Sequence, residues 1–344
     1  MTFTLYKEFR LNCFYVNIAA LLKRLPVEDA HLVYLFNQAG LFYCDTEDED
    51  EFQISPYYRQ LDDFVYGLFG ARLHKKGSSA GSEYMRTLKE ALASGRSAII
   101  ESDIFYLPYS GFYKRTHFPH ALEVTRHKEG KFEICDHYYE YHGILEESEL
   151  QAIFDASLDS VFYKRLYVWS LQKTDGAAPG EITPAFCESV IKDNQANMQG
   201  AVTYDCPPGS YPGLAAFEPI CVKIKSLKTI EEDSVKFKAA SYLYDGFREI
   251  ANSRYHHHNL LRAIGEDALA ESYLEADQSW MVAANLLMRA ATGNQFQAFE
   301  ERILSRMERV KQKEAENTAL LQQWLHRRET GPAAHIRKDK STTA

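Results

Sequence analysis

From Cys13 onward, apolar residues recur at helical spacing: Phe14, Ile18, Leu21, Leu22 and Leu25 share one face, and Pro26 ends the run. Looser alternation over residues 2–9 predicts a short edge strand before that helix. Residues 27–37 read as a second helix stopped by Gly40, residues 41–44 as a brief strand, and residues 61–69 as either helix or strand. The stretch 75–82 has the glycine and serine content of a flexible basic loop. An amphipathic helix over 83–94, ended by Gly95, precedes a buried strand over 97–101. Apolar and polar residues then alternate over 121–125 and again over 131–135 around Glu129 and Gly130, the pattern of a β-hairpin. A helix over 146–157 and an aromatic-rich strand over 161–171 close this region.

Small and helix-breaking residues at 174–180 place a domain boundary there. Beyond it the periodicity is helical, over 184–198, 214–228, 231–252, 254–264, 268–291 and 294–328, with a punctuated stretch at 206–213. The expected organisation is α+β: a sheet-bearing domain over 1–173, a mainly α-helical domain over 174–330, and a disordered tail over 331–344. Ile303, Met307, Val310, Leu320 and Leu321 are too sparse for a strong coiled coil, so the last helix either crosses the helical domain or helps a homodimer form.

The chain has 344 residues and a formal charge of −9 at pH 7, with no run of Lys and Arg interleaved with aromatics, which argues against nucleic acid as a partner. No apolar stretch reaches the roughly 20 residues needed to span a bilayer. The first thirteen residues carry charges where a signal peptide needs apolar ones, so a cytoplasmic protein is expected. Six cysteines without a CxxC pair read as free thiols. The acidic run 45–51 lacks calcium-loop spacing and reads as a solvated loop. His256, His257 and His258 are consecutive on a helix and point in different directions, so no metal site is expected. Trp280, with Leu286 and Leu287, reads as packing of the helical domain.

Chemistry concentrates around the hairpin. Its outer ends bring His120 beside Asp136, where a carboxylate fixes an imidazole tautomer and stabilises the imidazolium. Upstream, Cys13 sits in the first turn of a helix, where free N–H groups and the dipole favour a thiolate. His117, three residues from His120, is the rival base. The bland alternatives are a core thiol, a satisfied core histidine and an ordinary turn carboxylate. His127, His137 and His142 read as exposed.

Asn12-Cys13 opening a helix, ESDIFYLPY, HFPHALEV and EICDHYY, followed by SRYHHHNLL and DQSWMVAANLLMRA, resemble the butirosin-biosynthesis acyltransferase family. That resemblance implies a papain-like, cysteine-protease-type N-terminal domain followed by a helical one. It implies transfer of an acyl or aminoacyl group from an acyl or peptidyl carrier protein to a small-molecule or peptide amine. No cofactor is implied, because phosphopantetheine arrives with the carrier. Cys13 is then the acylated nucleophile, His120 the base and acid, and Asp136 its orienting partner. Asp103 shapes the acceptor side, and Tyr106, Tyr109, Tyr113, Tyr138 and Tyr139 wall the site. No glutamine precedes Cys13, so an oxyanion donor must come from backbone N–H groups or Asn12. A cysteine hydrolase with the same triad and a non-catalytic carrier- or peptide-binding scaffold are the alternatives.

Overall fold

The computed structural model describes residues 5–7, 10–25, 32, 35–46, 52–201 and 206–330. It divides into two units, Met1–Leu32 with Leu61–Glu181, and Val33–Gln60 with Ile182–Ala344. The segment 33–60, read in sequence as part of the first domain, therefore groups with the later helices. The expected second helix, most of the acidic run and the tail fall mainly outside the described residues, as does most of the expected first strand.

The first unit is a six-stranded antiparallel sheet with helices on both faces. Its elements are α1 (Cys13–Leu22), α2 (Leu61–Phe69), β3 (Ala71–Ser78), α3 (Gly81–Ala93), β4 (Ala98–Asp103), β5 (Pro119–Lys128), β6 (Lys131–Asp136), β7 (Tyr141–Glu146), α4 (Glu147–Leu158) and β8 (Leu166–Lys173). The strand order is β3-β8-β4-β5-β6-β7. Glu129 and Gly130 turn the hairpin with φ of 53° and 74°, the paired positive values of a type I′ turn. Leu122, Val124 and Ile100 pack with Tyr84, Leu88, Leu150 and Phe154 of α3 and α4. Ala121 and Glu123, at alternate positions on β5, meet α1 instead.

The expected flexible loop at 75–82 is corrected: residues through Ser78 form β3, paired in register with β8 from Ala71–Lys173 to Ser78–Leu166. Lys75 lies 3.8 Å above the Tyr167 ring and 4.6 Å above Trp169, giving a strand rich in charge an apolar partner. Gly77 is required by close approach, since a Cβ there would come within 2.5 Å of the Tyr167 ring. The ambiguous stretch at 61–69 is a helix, and β7 is a strand that the sequence pattern does not announce.

In the second unit β1 (Phe42–Asp45) lies between β2 (Phe52–Ser55) and the short β9 (Tyr211–Pro212). The helices are α5 (Pro184–Met198), α6 (Phe217–Ser226), α7 (Asp233–Ala263), α8 (Asp267–Thr292) and α9 (Phe296–Thr330). The predicted break near residue 253 does not occur, and α7 runs unbroken. Arg254 is fully buried there, its guanidinium bound to Glu314 at 2.8 Å and to the Gly40 carbonyl at 2.9 Å, so continuing the helix satisfies a charge that a break would strand. Trp280 packs between Phe217 and Phe247, and its indole N–H donates to Glu314 at 2.6 Å. Among the described residues no helix is long and apolar enough to cross a membrane.

Candidate active site

Asn12 has extended backbone, and its Oδ1 accepts the N–H of Tyr15 at 2.7 Å. That cap fixes Cys13 at the first helical position. The Asn12 carbonyl accepts from Val16, which leaves the N–H groups of Cys13 and Phe14 as the open donors of the first turn. Asn17, fully buried one turn on, donates to the carbonyls of Cys13 (2.5 Å) and of Ala121 (3.0 Å), tying α1 to β5. Phe14 meets Trp169 edge-on with ring centroids 4.9 Å apart. Just past the C-terminal end of α1, Arg24 binds the buried Glu123 through both carboxylate oxygens.

His120 opens β5 and is 3% exposed. Its Nε2 meets Asp136 Oδ2 at 2.7 Å, and the Cys13 sulfur is close enough for its charge to act on the ring. Imidazole and carboxylate are therefore in direct contact, and the thiol acts on the ring electrostatically. Burial, the largest single influence on His120, disfavours its charged form. The charges of Asp136 and Cys13, with hydrogen bonds to both, outweigh burial and raise its pKa from 6.5 to about 10.

Asp136 is fully buried and well supplied with donors. Its Oδ1 accepts the N–H groups of Tyr138 and Tyr139, each at 3.1 Å, and Oδ2 also accepts the Tyr109 hydroxyl at 3.0 Å. Burial pushes this carboxyl's pKa up, but His120 and these donors hold it below the usual range. Tyr109 stacks flat on Tyr141 at 3.8 Å, so its ring is anchored while its hydroxyl serves the carboxylate.

Asp103 pairs with His117 and not with His120. It is fully buried, with Oδ2 2.8 Å from His117 Nδ1 and Oδ1 accepting the N–H groups of Phe105 (3.0 Å) and Phe118 (3.1 Å). His117 lies flat on Phe105, centroids 4.0 Å apart, and Tyr106 packs against it at 5.8 Å. The two histidines thus have separate carboxylates, and the one on which the charge of Cys13 acts is His120. Tyr138 and Tyr139 stand 6.1 and 5.0 Å from the His120 ring, while Tyr113 is exposed on the loop before the hairpin.

Three supports went unnoticed in the sequence. Tyr163 accepts the His120 backbone N–H at 3.2 Å and donates to the Ser102 carbonyl at 2.9 Å, with no local pattern to mark it. Asn17 was findable, as a polar residue on an apolar helical face one turn after a cysteine. His137, expected to be exposed, is 2% exposed: its Nδ1 accepts from the Tyr6 N–H and its Nε2 meets Glu123 at 2.9 Å. In the second unit His257 Nδ1 lies 2.7 Å from Asn37 Oδ1, His258 Nδ1 2.8 Å from the Ala270 carbonyl, and His256 against Phe36. All six cysteines are free thiols.

Residues 16–137 match the family described as Butirosin biosynthesis protein H, N-terminal. The match includes Asp103, His117, His120 and Asp136 and begins just after Cys13, in agreement with the motifs noted above. No curated protein matches the chain.

Proposed function

We propose that the protein is an acyltransferase of natural-product biosynthesis, moving an acyl or aminoacyl group from a carrier-protein thioester, through a thioester on Cys13, to an amine. The observation that supports this most is the buried His120–Asp136 pair, on which the charge of Cys13 at the start of α1 acts. In this reading the fold of the first unit is papain-like and the three residues form its triad.

With its pKa raised to about 10, His120 holds a proton at neutral pH, which sets a positive charge beside the nucleophilic sulfur of Cys13. The thiolate attacks the thioester carbonyl, and the N–H groups of Cys13 and Phe14 receive the developing oxyanion. The carrier thiol leaves with the proton of His120. An amine then attacks the acyl-enzyme, His120 takes its proton, and the Cys13 thiolate departs as the amide forms. Asp136 keeps the imidazole oriented throughout. Phosphopantetheine belongs to the donor, so the scheme calls on no resident cofactor.

Hydrolysis would use the same groups with water as acceptor. The partition of a preformed acyl-enzyme separates the two: transfer predicts that millimolar amine captures the acyl group as amide ahead of bulk water, and release mainly as free acid would make the protein a hydrolase.

A further inference from the structure

The loop joining β4 to β5 presents four consecutive exposed side chains. Phe112 is 46% and Tyr113 38% exposed, and Lys114 and Arg115 are exposed beside them. The two exposed rings are sequence neighbours, and neither cation has a carboxylate partner among the described residues. Lys114 lies over its neighbour Tyr113, and Arg115 reaches only the Gly111 carbonyl at 3.5 Å. The chain as a whole carries a charge of −9, so this cationic tip stands out against an acidic background.

The loop is pre-shaped. Lys114 has φ of 54°, its N–H donates to the Phe105 carbonyl at 2.9 Å, and the N–H groups of Arg115 and Thr116 both reach the Phe112 carbonyl. A partner docking on it pays little ordering entropy. A chain of rings also connects it to the site: Phe112 lies 6.4 Å from Tyr139, which lies 5.0 Å from His120.

We propose that Phe112, Tyr113, Lys114 and Arg115 form the docking surface for the donor, an acidic carrier domain whose pantetheine arm reaches Cys13 along Tyr139. This rests on the acyl-transfer reading and adds where the donor binds. Exposed rings beside unpaired cations suit an acidic protein surface with an apolar spot, and the cations steer its approach in a salt-dependent way.

The test uses a chloroacetamide warhead, whose chloride is displaced by the Cys13 sulfur whatever acyl group the enzyme prefers. The warhead is offered on an acidic peptidyl carrier domain, on free pantetheine and on free phosphopantetheine. In the wild type the carrier-borne warhead is expected to alkylate Cys13 faster than the free ones. K114E/R115E is expected to slow carrier-borne alkylation by about tenfold or more at low salt, and less as salt rises, while both free reagents react as before. Equal slowing of all three, slowing of phosphopantetheine as large as that of the carrier, or no carrier advantage in the wild type would overturn the docking surface. A warhead that labels C13A as fast as wild type would overturn the nucleophile reading as well.

Discussion

The hydroxyl of Tyr163 accepts the backbone N–H of His120, and the same hydroxyl donates to the Ser102 carbonyl on the neighbouring strand. One side chain thereby fixes where β5 begins and hence where the imidazole stands. Tyr163→Phe leaves a buried N–H and a carbonyl without that partner, at a cost of about 1–3 kcal/mol. The expected outcome is a lower urea midpoint together with slower alkylation of Cys13; unchanged reactivity would separate Tyr163 from the site.

His120 and His117 each have a carboxylate, but only on His120 does the charge of Cys13 act. His120→Gln should slow acylation of Cys13 by about 10²–10⁴-fold, the usual worth of a general acid–base group. His117→Gln should leave the acylation rate close to wild type. Single-turnover kinetics with an acyl-pantetheine thioester distinguish the two, and the reverse ranking would make His117 the base.

Asp136 contributes to the raised pKa of His120, so its charge sets how far into alkaline solution the imidazolium survives. Asp136→Asn should move the alkaline limb of Cys13 alkylation, near pH 10 in the wild type, toward neutral pH. A limb that stays in place would mean that the thiol alone raises the imidazole.

The same pair makes stability depend on pH. His120 binds its proton more tightly folded, with a pKa of about 10, than unfolded, at 6.5. Its contribution is therefore complete below pH 6.5 and is lost as pH rises through about 10. Urea midpoints of wild type and His120→Gln should be furthest apart in the acid range and converge toward pH 10.

In the second unit Arg254 and Glu314 are both buried, so removing one strands the other. Arg254→Ala should cost about 3–5 kcal/mol in urea unfolding, and a double replacement with Met and Leu should recover only part of it, because the Trp280 indole N–H and the Gly40 carbonyl lose their partners.

How far the sequence could be read follows from how local each feature is. The hairpin, α1 and α5 were legible because alternation and helical spacing are encoded within a few neighbours. β3 was not, because its Lys and Gly residues become a strand only through β8, with Lys75 over Tyr167. The continuity of α7 likewise depends on Glu314, 60 residues beyond Arg254. At the site, the pairing of His120 with Asp136 and the place of Cys13 at a helix start follow from hairpin geometry and local spacing. The separate pairing of Asp103 with His117 and the bracing by Tyr163 arise from contacts distant in sequence. Lys114 and Arg115 are too few to register as a basic patch until their exposure and their lack of carboxylate partners among the described residues are known.

Intact-mass analysis after incubation with an acyl-pantetheine thioester, followed by peptide mapping, tests the central claim most directly. The account predicts one acyl adduct on the Cys13 peptide of the wild type, none in Cys13→Ala, and slow formation in His120→Gln. An adduct of equal yield in Cys13→Ala, or one mapped to another cysteine, would contradict it.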